Sequence, residues 1–483
     1  MAPRPAPLEP AATTGRVPRG LWKANAHSKP NNPSASFHHR ADDEVYYYIQ
    51  WDAEDNAMET AEEAAPSVVD DKPFEDWEDL KELFGKAVEQ YDNNDEDALQ
   101  LLRGVIHEAH RFLLLYDDPS TLWTVSRSSK SPEPISASPS TKPTRVVRSE
   151  SPTAFHAILG TALFLFGNLV SQNPSLAVEG EPTSAPTYWL AALDVFETGD
   201  RTCGRGCDNT SMDWRLAISW GRTLLAVTEW LLDERPPPPP EQKYPNPSAS
   251  PFAAIAFRRP PACRRISFST TSPHELLLLA MDQFTRGIFH MPHPAHDTDV
   301  ATDARRPFSR ATELFSIASQ VLAIAERLPV AKERVRWAEW SDSILQQMDM
   351  EGDTARDEWR GPVTKMRGQA WLVVGTAQMD TIEGQAEERG WDAVLDSEEA
   401  EDAREGLERA VEYFEKAVGS AKREIESEDE GMPVEQDQVQ AYLAEALLTL
   451  ANLTKDEAKR EEMYQRAQEM SGESLDMDVD DDE

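Results

Sequence analysis

From Trp77 onward apolar residues return at every third or fourth position, and that periodicity confines the chain to packed amphipathic helices. Trp77, Leu80, Leu83, Phe84, Val88 and Tyr91 mark a first helix. Asn93-Asn94-Asp95 interrupts it, and Asp95 is expected to cap a second helix in which Leu99, Leu102, Ile106 and Ala109 share a face beside Val105. Asp117-Asp118-Pro119 ends that helix. Two helices joined by so short a polar turn fold back on each other as an αα-hairpin. The same period predicts helices over 154–170, 188–196, 212–232, 274–289, 308–328, 332–348, 356–379, 400–425, 434–453 and 456–470. Val/Ile/Thr alternation is nowhere sustained, so no strands are expected. The fold class that follows is all-α, a degenerate tetratricopeptide-like helical-hairpin solenoid over residues 73–472.

The rest of the chain reads differently. Residues 1–72, rich in Pro, Ala, Ser and then acid, carry almost no apolar period and are expected to be disordered, as are insertions near 126–152, 236–272 and 290–306. Residues 473–483 are an acidic tail. The net charge of −39 is uneven: −18 over residues 41–100 and −23 over 381–483, against only −3 over 101–380. A chain this acidic repels phosphate backbones, so no direct nucleic-acid contact is expected. No stretch reads as the roughly 18 apolar residues of a membrane span, the longest candidate being 158–170, and the N-terminus lacks the apolar core of a secretory signal. Three cysteines, Cys203, Cys207 and Cys263, suit a reducing compartment.

A weak repeat runs through the helical part. Trp371, Val374 and Gly375 reproduce the opening of a tetratricopeptide helix, and Ala410, Phe414 and Ala417 reproduce the small-bulky-small spacing of its partner. The acidic residues near 382–398 read as a loop inserted between them. A bulky residue followed by glycine recurs at Phe84-Gly85, Leu159-Gly160 and Trp220-Gly221. A mid-helix glycine costs about 1 kcal/mol relative to alanine, so close helix–helix approach is the expected reason for each.

Candidate chemistry is sparse. Cys203 and Cys207 are spaced for zinc, but a structural site needs four ligands and no second pair exists. His290, His293 and His296 have metal-like spacing, yet Pro292 and Pro294 preclude a helix, and a solvated loop is the simpler reading. His107 and His110 stand three apart rather than the four of a zincin motif, and read as helix-surface residues. No phosphate-cradling glycine loop or nucleophile elbow occurs. Neither a catalytic residue nor a cofactor or metal is therefore expected. Ser131, Ser138 and Ser151 each precede a proline, and Ser267 follows Arg264-Arg265-Ile266, so all four are candidate phosphorylation sites.

One segment carries a resemblance. Leu83-Phe84-Gly85-Lys86-Ala87-Val88, followed by the core Gly104, Ile106, His107, Glu108, Arg111 and Leu113, resembles the opening of the fungal enhancer of translation termination family, and the later helices follow in compatible order from about Trp77 to Met470. The Lys/Arg-rich leader of that family has no counterpart in MAPRPAPLEPAATTGR. The resemblance implies a nuclear, tetratricopeptide-like scaffold that is not an enzyme and serves efficient translation termination. It also implies a protein partner, either the termination machinery or a prolyl-hydroxylase-like dioxygenase through which oxygen controls sterol-linked transcription. Two other functions compete on the residues alone: an acidic chaperone-like binder of basic proteins using Asp476 to Glu483, and a metal-binding enzyme using the His290–His296 loop and the cysteines.

Overall fold

The computed structural model describes residues 37–39, 45–47, 72–116, 119, 150–203, 213–233, 271–293, 308–348, 353–425 and 433–471. A short antiparallel ribbon pairs β1 (Phe37–His39) with β2 (Val45–Tyr47), Phe37 opposite Tyr47. It departs from the strand-free expectation and falls inside the segment read as disordered; the aromatic and β-branched run at 45–47 favours extended backbone. Everything else regular among the described residues is helical, so the fold is all-α.

The helices that the sequence presents as one array fall into two compact units, with the boundary at Ser211 and Met212. The first unit holds α1 (Lys72–Tyr91), α2 (Asp95–Leu115), α3 (Ala154–Gln172) and α4 (Ala185–Cys203). Here α1 packs on α2 and α3 on α4 as hairpins, and α2 joins the pairs by packing on α3. Phe112 anchors that junction, edge-on to Trp77 at 6.4 Å between ring centroids and tilted against Phe155 at 6.1 Å. Asn94, not Asp95, caps α2: its side-chain oxygen accepts from the Glu96 and Asp97 amides at 3.1 and 3.3 Å. Such a cap stabilises a helix by about 1 kcal/mol and leaves Asp95 in the first turn, where its charge complements the helix dipole.

α3 corrects the expectation about membrane spans. At 19 residues with a mean hydropathy of 1.6 it is long and apolar enough to cross a bilayer by length and composition. Burial accounts for it: 67% of that window is buried in the protein, where Phe155, Leu163, Phe166 and Val170 pack as core.

The second unit holds α5 (Trp214–Leu232), α6 (Pro273–His290), α7 (Arg310–Glu326), α8 (Ala331–Met348), α9 (Asp353–Thr376), α10 (Met379–Arg389), α11 (Trp391–Val394), α12 (Glu398–Ile425), α13 (Pro433–Asn452) and α14 (Glu457–Ser471). Successive hairpins α5–α6, α7–α8, α9–α12 and α13–α14 each pack on the next, the nearest-neighbour pattern of a repeat array. α6 starts at a full capping box, Ser272 with Glu275, and Pro273 at its first position. The segment read as an inserted loop near 382–398 is instead the pair α10 and α11. Ile382, Ala386, Val394 and Leu395 fold that insertion into the core, and Gly390 at φ +84° makes the turn between the two helices.

Glycine explains how closely the hairpins pack. A Cβ placed on Gly221 of α5 would lie 2.6 Å from the Phe284 ring of α6, and one on Gly368 of α9 would lie 2.6 Å from the Phe414 ring of α12; Gly160 of α3 meets Phe196 of α4 in the same way. At the α9–α12 crossing the approach is backbone to backbone, since a Cβ on Gly406 would lie 2.8 Å from the Gly375 nitrogen. Gly85 corrects the pattern, for nothing lies within 4 Å of its Cβ position.

Candidate functional site

The inward faces of α1 and α2 are apolar, with Trp77, Leu80 and Ala87 buried on α1 and Leu99, Leu102, Val105 and Ile106 buried on α2, and the two helices pack together. Their adjoining outer faces leave a groove of about 820 Å³, lined by Asp76, Asp79, Glu82, Leu83 and Lys86 of α1 and by Gly104, His107, Glu108 and Arg111 of α2. The spacing produces it. Residues 76, 79, 82, 83 and 86 recur at three- and four-residue steps on α1, as do 104, 107, 108 and 111 on α2, so each set forms one stripe. Gly104 keeps the floor low beside Leu83, whose Cδ2 would stand 3.4 Å from a Cβ at that position.

Arg111 ties the two walls together. Its Nε donates to both Glu108 carboxylate oxygens at 2.8 and 3.0 Å, and its Nη2 lies 3.0 Å from Asp76 Oδ2 on the opposite helix. Lys86 pairs with Glu82 at 2.8 Å, one turn away. The groove sets four carboxylates, Asp76, Asp79, Glu82 and Glu108, against two cations, Lys86 and Arg111. Partial burial pushes the His107 pKa down against the opposing pull of Glu181, with Arg103 adding to the fall. The groove is therefore net negative, with acceptor oxygens along both rims.

Behind α2 stands a buried ion pair. Arg103 donates from Nε and Nη2 to Glu181 Oε1 and Oε2 at 2.6 and 3.0 Å, and Glu181 Oε2 also accepts from the Val178 amide at 3.0 Å. This pins the segment between α3 and α4 to α2. His110 corrects the helix-surface reading: it is half-buried, and desolvation, followed by His107, lowers its pKa to about 4.

The residues singled out by sequence thus separate. Gly104, His107, Glu108 and Arg111 converge on the groove, while Ile106 is fully buried in the core. Trp371, Gly375, Ala410, Phe414 and Ala417 lie in the second unit as packing of the α9–α12 hairpin, where Phe414 packs over Gly368 and the Arg409 guanidinium lies 4.3 Å over the Trp371 ring; Phe414 also stacks on Tyr442 of α13 at 5.7 Å. Ser151 lies just ahead of α3; Ser131, Ser138 and Ser267 lie outside the described residues, as do Cys207, Cys263, His296 and Asp476 to Glu483. Among the described residues no three His, Cys, Asp or Glu side chains cluster as metal ligands. Asp76, Asp79 and Glu82 were not singled out by sequence reasoning, although their three-residue spacing beside the apolar stripe of α1 was there to be read.

No protein-family model matches the chain. No curated protein matches it either. Among solved structures it is similar to the S. pombe nuclear import adaptor Nro1, at 15% identity over 84% of this chain and 97% of that one, with a TM-score of 0.44. A second structure, described as the hypoxic regulator of sterol synthesis Nro1, a nuclear import adaptor, aligns at 15% identity over 82% and 87% with a TM-score of 0.43. A circular tandem repeat protein aligns at 14% identity over 81% and 69% with a TM-score of 0.27.

Proposed function

We propose that this chain is a non-enzymatic nuclear adaptor that binds a protein partner through the groove between α1 and α2. The observation that supports this is where the residues of the family resemblance lie. Of its polar members, Lys86, His107, Glu108 and Arg111 line an open surface groove together with Leu83 and Gly104, while the apolar Ala87 and Ile106 are withdrawn into the core. Residues that served packing alone would not be arranged along a rim of carboxylates. Such a rim favours a partner presenting Lys or Arg, because opposite charge steers encounter and fixes register. In this proposal the partner is a prolyl-hydroxylase-like dioxygenase or the termination machinery, as the resemblance implies. The consequence for the cell is efficient stop-codon recognition and oxygen- or sterol-linked gene expression.

The test is quantitative affinity capture from nuclear extract with the full chain and with an Asp79→Lys/Glu82→Lys double variant, together with a stop-codon readthrough reporter. The reading expects a reproducible partner that the double variant loses at least tenfold while remaining folded and helical. A partner retained equally by both proteins would remove the groove from the account, and readthrough unchanged in cells lacking the chain would remove the termination role.

A further inference from the structure

Ser151 stands where three features meet. Pro152 follows it, giving the Ser-Pro dipeptide that proline-directed kinases select. It is partly exposed, its carbonyl accepts from the Ala154 amide at 3.0 Å at the start of α3, and its Oγ lies 2.8 Å from Thr153 Oγ1 and accepts from the Thr153 amide at 3.4 Å. The residue before it, Glu150, reaches Lys81 Nζ of α1 at 2.7 Å. Lys81 is shared with Glu78 of its own helix at 2.8 Å, so one cation already bridges α1 to the segment that leads into α3.

We propose that Ser151 is a phosphorylation site of a proline-directed kinase, and that its phosphate draws Lys81 to it and fastens α3 to α1. The kinase transfers the γ-phosphoryl group of ATP: the Ser151 Oγ–P bond forms as the bond from the γ-phosphorus to the bridging oxygen breaks. ADP leaves, and the hydroxyl proton passes to the kinase's base. The product carries roughly −1.5 to −2 charge and three strong acceptor oxygens. The phosphate gives up the Thr153 contact and swings toward Lys81, whose ammonium is already held by the carboxylate of the preceding residue, Glu150. Two carboxylates oppose it, Glu150 and Glu78, as does the loss of the Ser151–Thr153 hydrogen bonds. Two attractions favour it: Lys81 transfers to the more highly charged and less constrained acceptor, and the phosphate lies at the positive end of the α3 dipole. The site does not depend on the adaptor reading.

The experiment has two arms on the full chain. In the first, folded protein is treated with a proline-directed kinase and ATP, and modified residues are mapped by mass spectrometry, with Ser151→Ala as control. Phosphate on Ser151 is expected; modification of Ser131 or Ser138 with Ser151 untouched overturns the site. In the second, phosphoserine is incorporated genetically at position 151 and thermal unfolding is followed by circular dichroism. The modified protein is expected to melt about 2 °C higher, and Lys81→Met to abolish the difference. A null or downward shift, or one that survives Lys81→Met, overturns the role given to Lys81.

Discussion

The α9–α12 crossing offers the sharpest test of how the second unit is held together, through Gly406→Ala. A methyl there would stand 2.8 Å from the Gly375 nitrogen and 2.9 Å from its Cα. Ordinary contact begins near 3.4 Å, and both neighbours are backbone, so no side-chain rotation relieves the clash. The helices must part by roughly 0.5–1 Å, and a gap of that size forfeits about a quarter to a half of the dispersion attraction of the atoms that lose contact. Overpacking of this kind costs about 1–3 kcal/mol, partly offset by about 1 kcal/mol of helix propensity gained from alanine. Gly419 of the same helix is the internal control, because nothing lies within 4 Å of its Cβ position. Alanine there gains the propensity without the clash. Urea unfolding followed by circular dichroism should therefore show Gly406→Ala less stable than the parent by up to about 2 kcal/mol and Gly419→Ala more stable by up to about 1 kcal/mol. Equal stabilisation by both substitutions would refute the close-packed crossing.

Two further outcomes follow from the first unit. Glu181 has a side chain only 3% exposed, and replacing Arg103 by Ala strands its charge; the expected loss is about 3–5 kcal/mol in urea unfolding, with Arg103→Lys costing less because one of its two contacts survives. His110 has a folded pKa of about 4, below the unfolded value near 6.5, so its neutral buried form supports the fold above pH 6.5 and that support is lost as pH falls toward 4. Stability measured from pH 7 to 4.5 should fall less steeply in His110→Leu than in the parent.

Helix positions were legible because they rest on local periodicity: the expected 400–425 and 332–348 emerge as Glu398–Ile425 and Ala331–Met348. The hairpins followed from turn lengths. Less legible were features set by tertiary neighbours. Gly85 and Gly160 follow bulky residues alike, yet only Gly160 meets a ring, because Phe196 comes from a helix whose register no local pattern encodes. The 382–398 insertion reads as acidic loop because its four buried apolar residues are spread among charges. The α2 side of the groove was visible as a motif, with Leu83 and Lys86 of α1 beside it; Asp76, Asp79 and Glu82 were hidden in an acidic run whose charges, taken singly, look like solvated surface.

The central claim is that the α1–α2 groove receives a partner, and site-specific photocrosslinking tests it most directly. A photoreactive residue placed at Glu82, on the groove rim, is compared with one at Glu412, exposed on α12 in the second unit. The account predicts a discrete crosslinked partner from position 82, peptide-mapped to a Lys/Arg-bearing segment and lost in the Asp79→Lys background, with none from position 412. No crosslink from position 82, or the same crosslink from both, would contradict it.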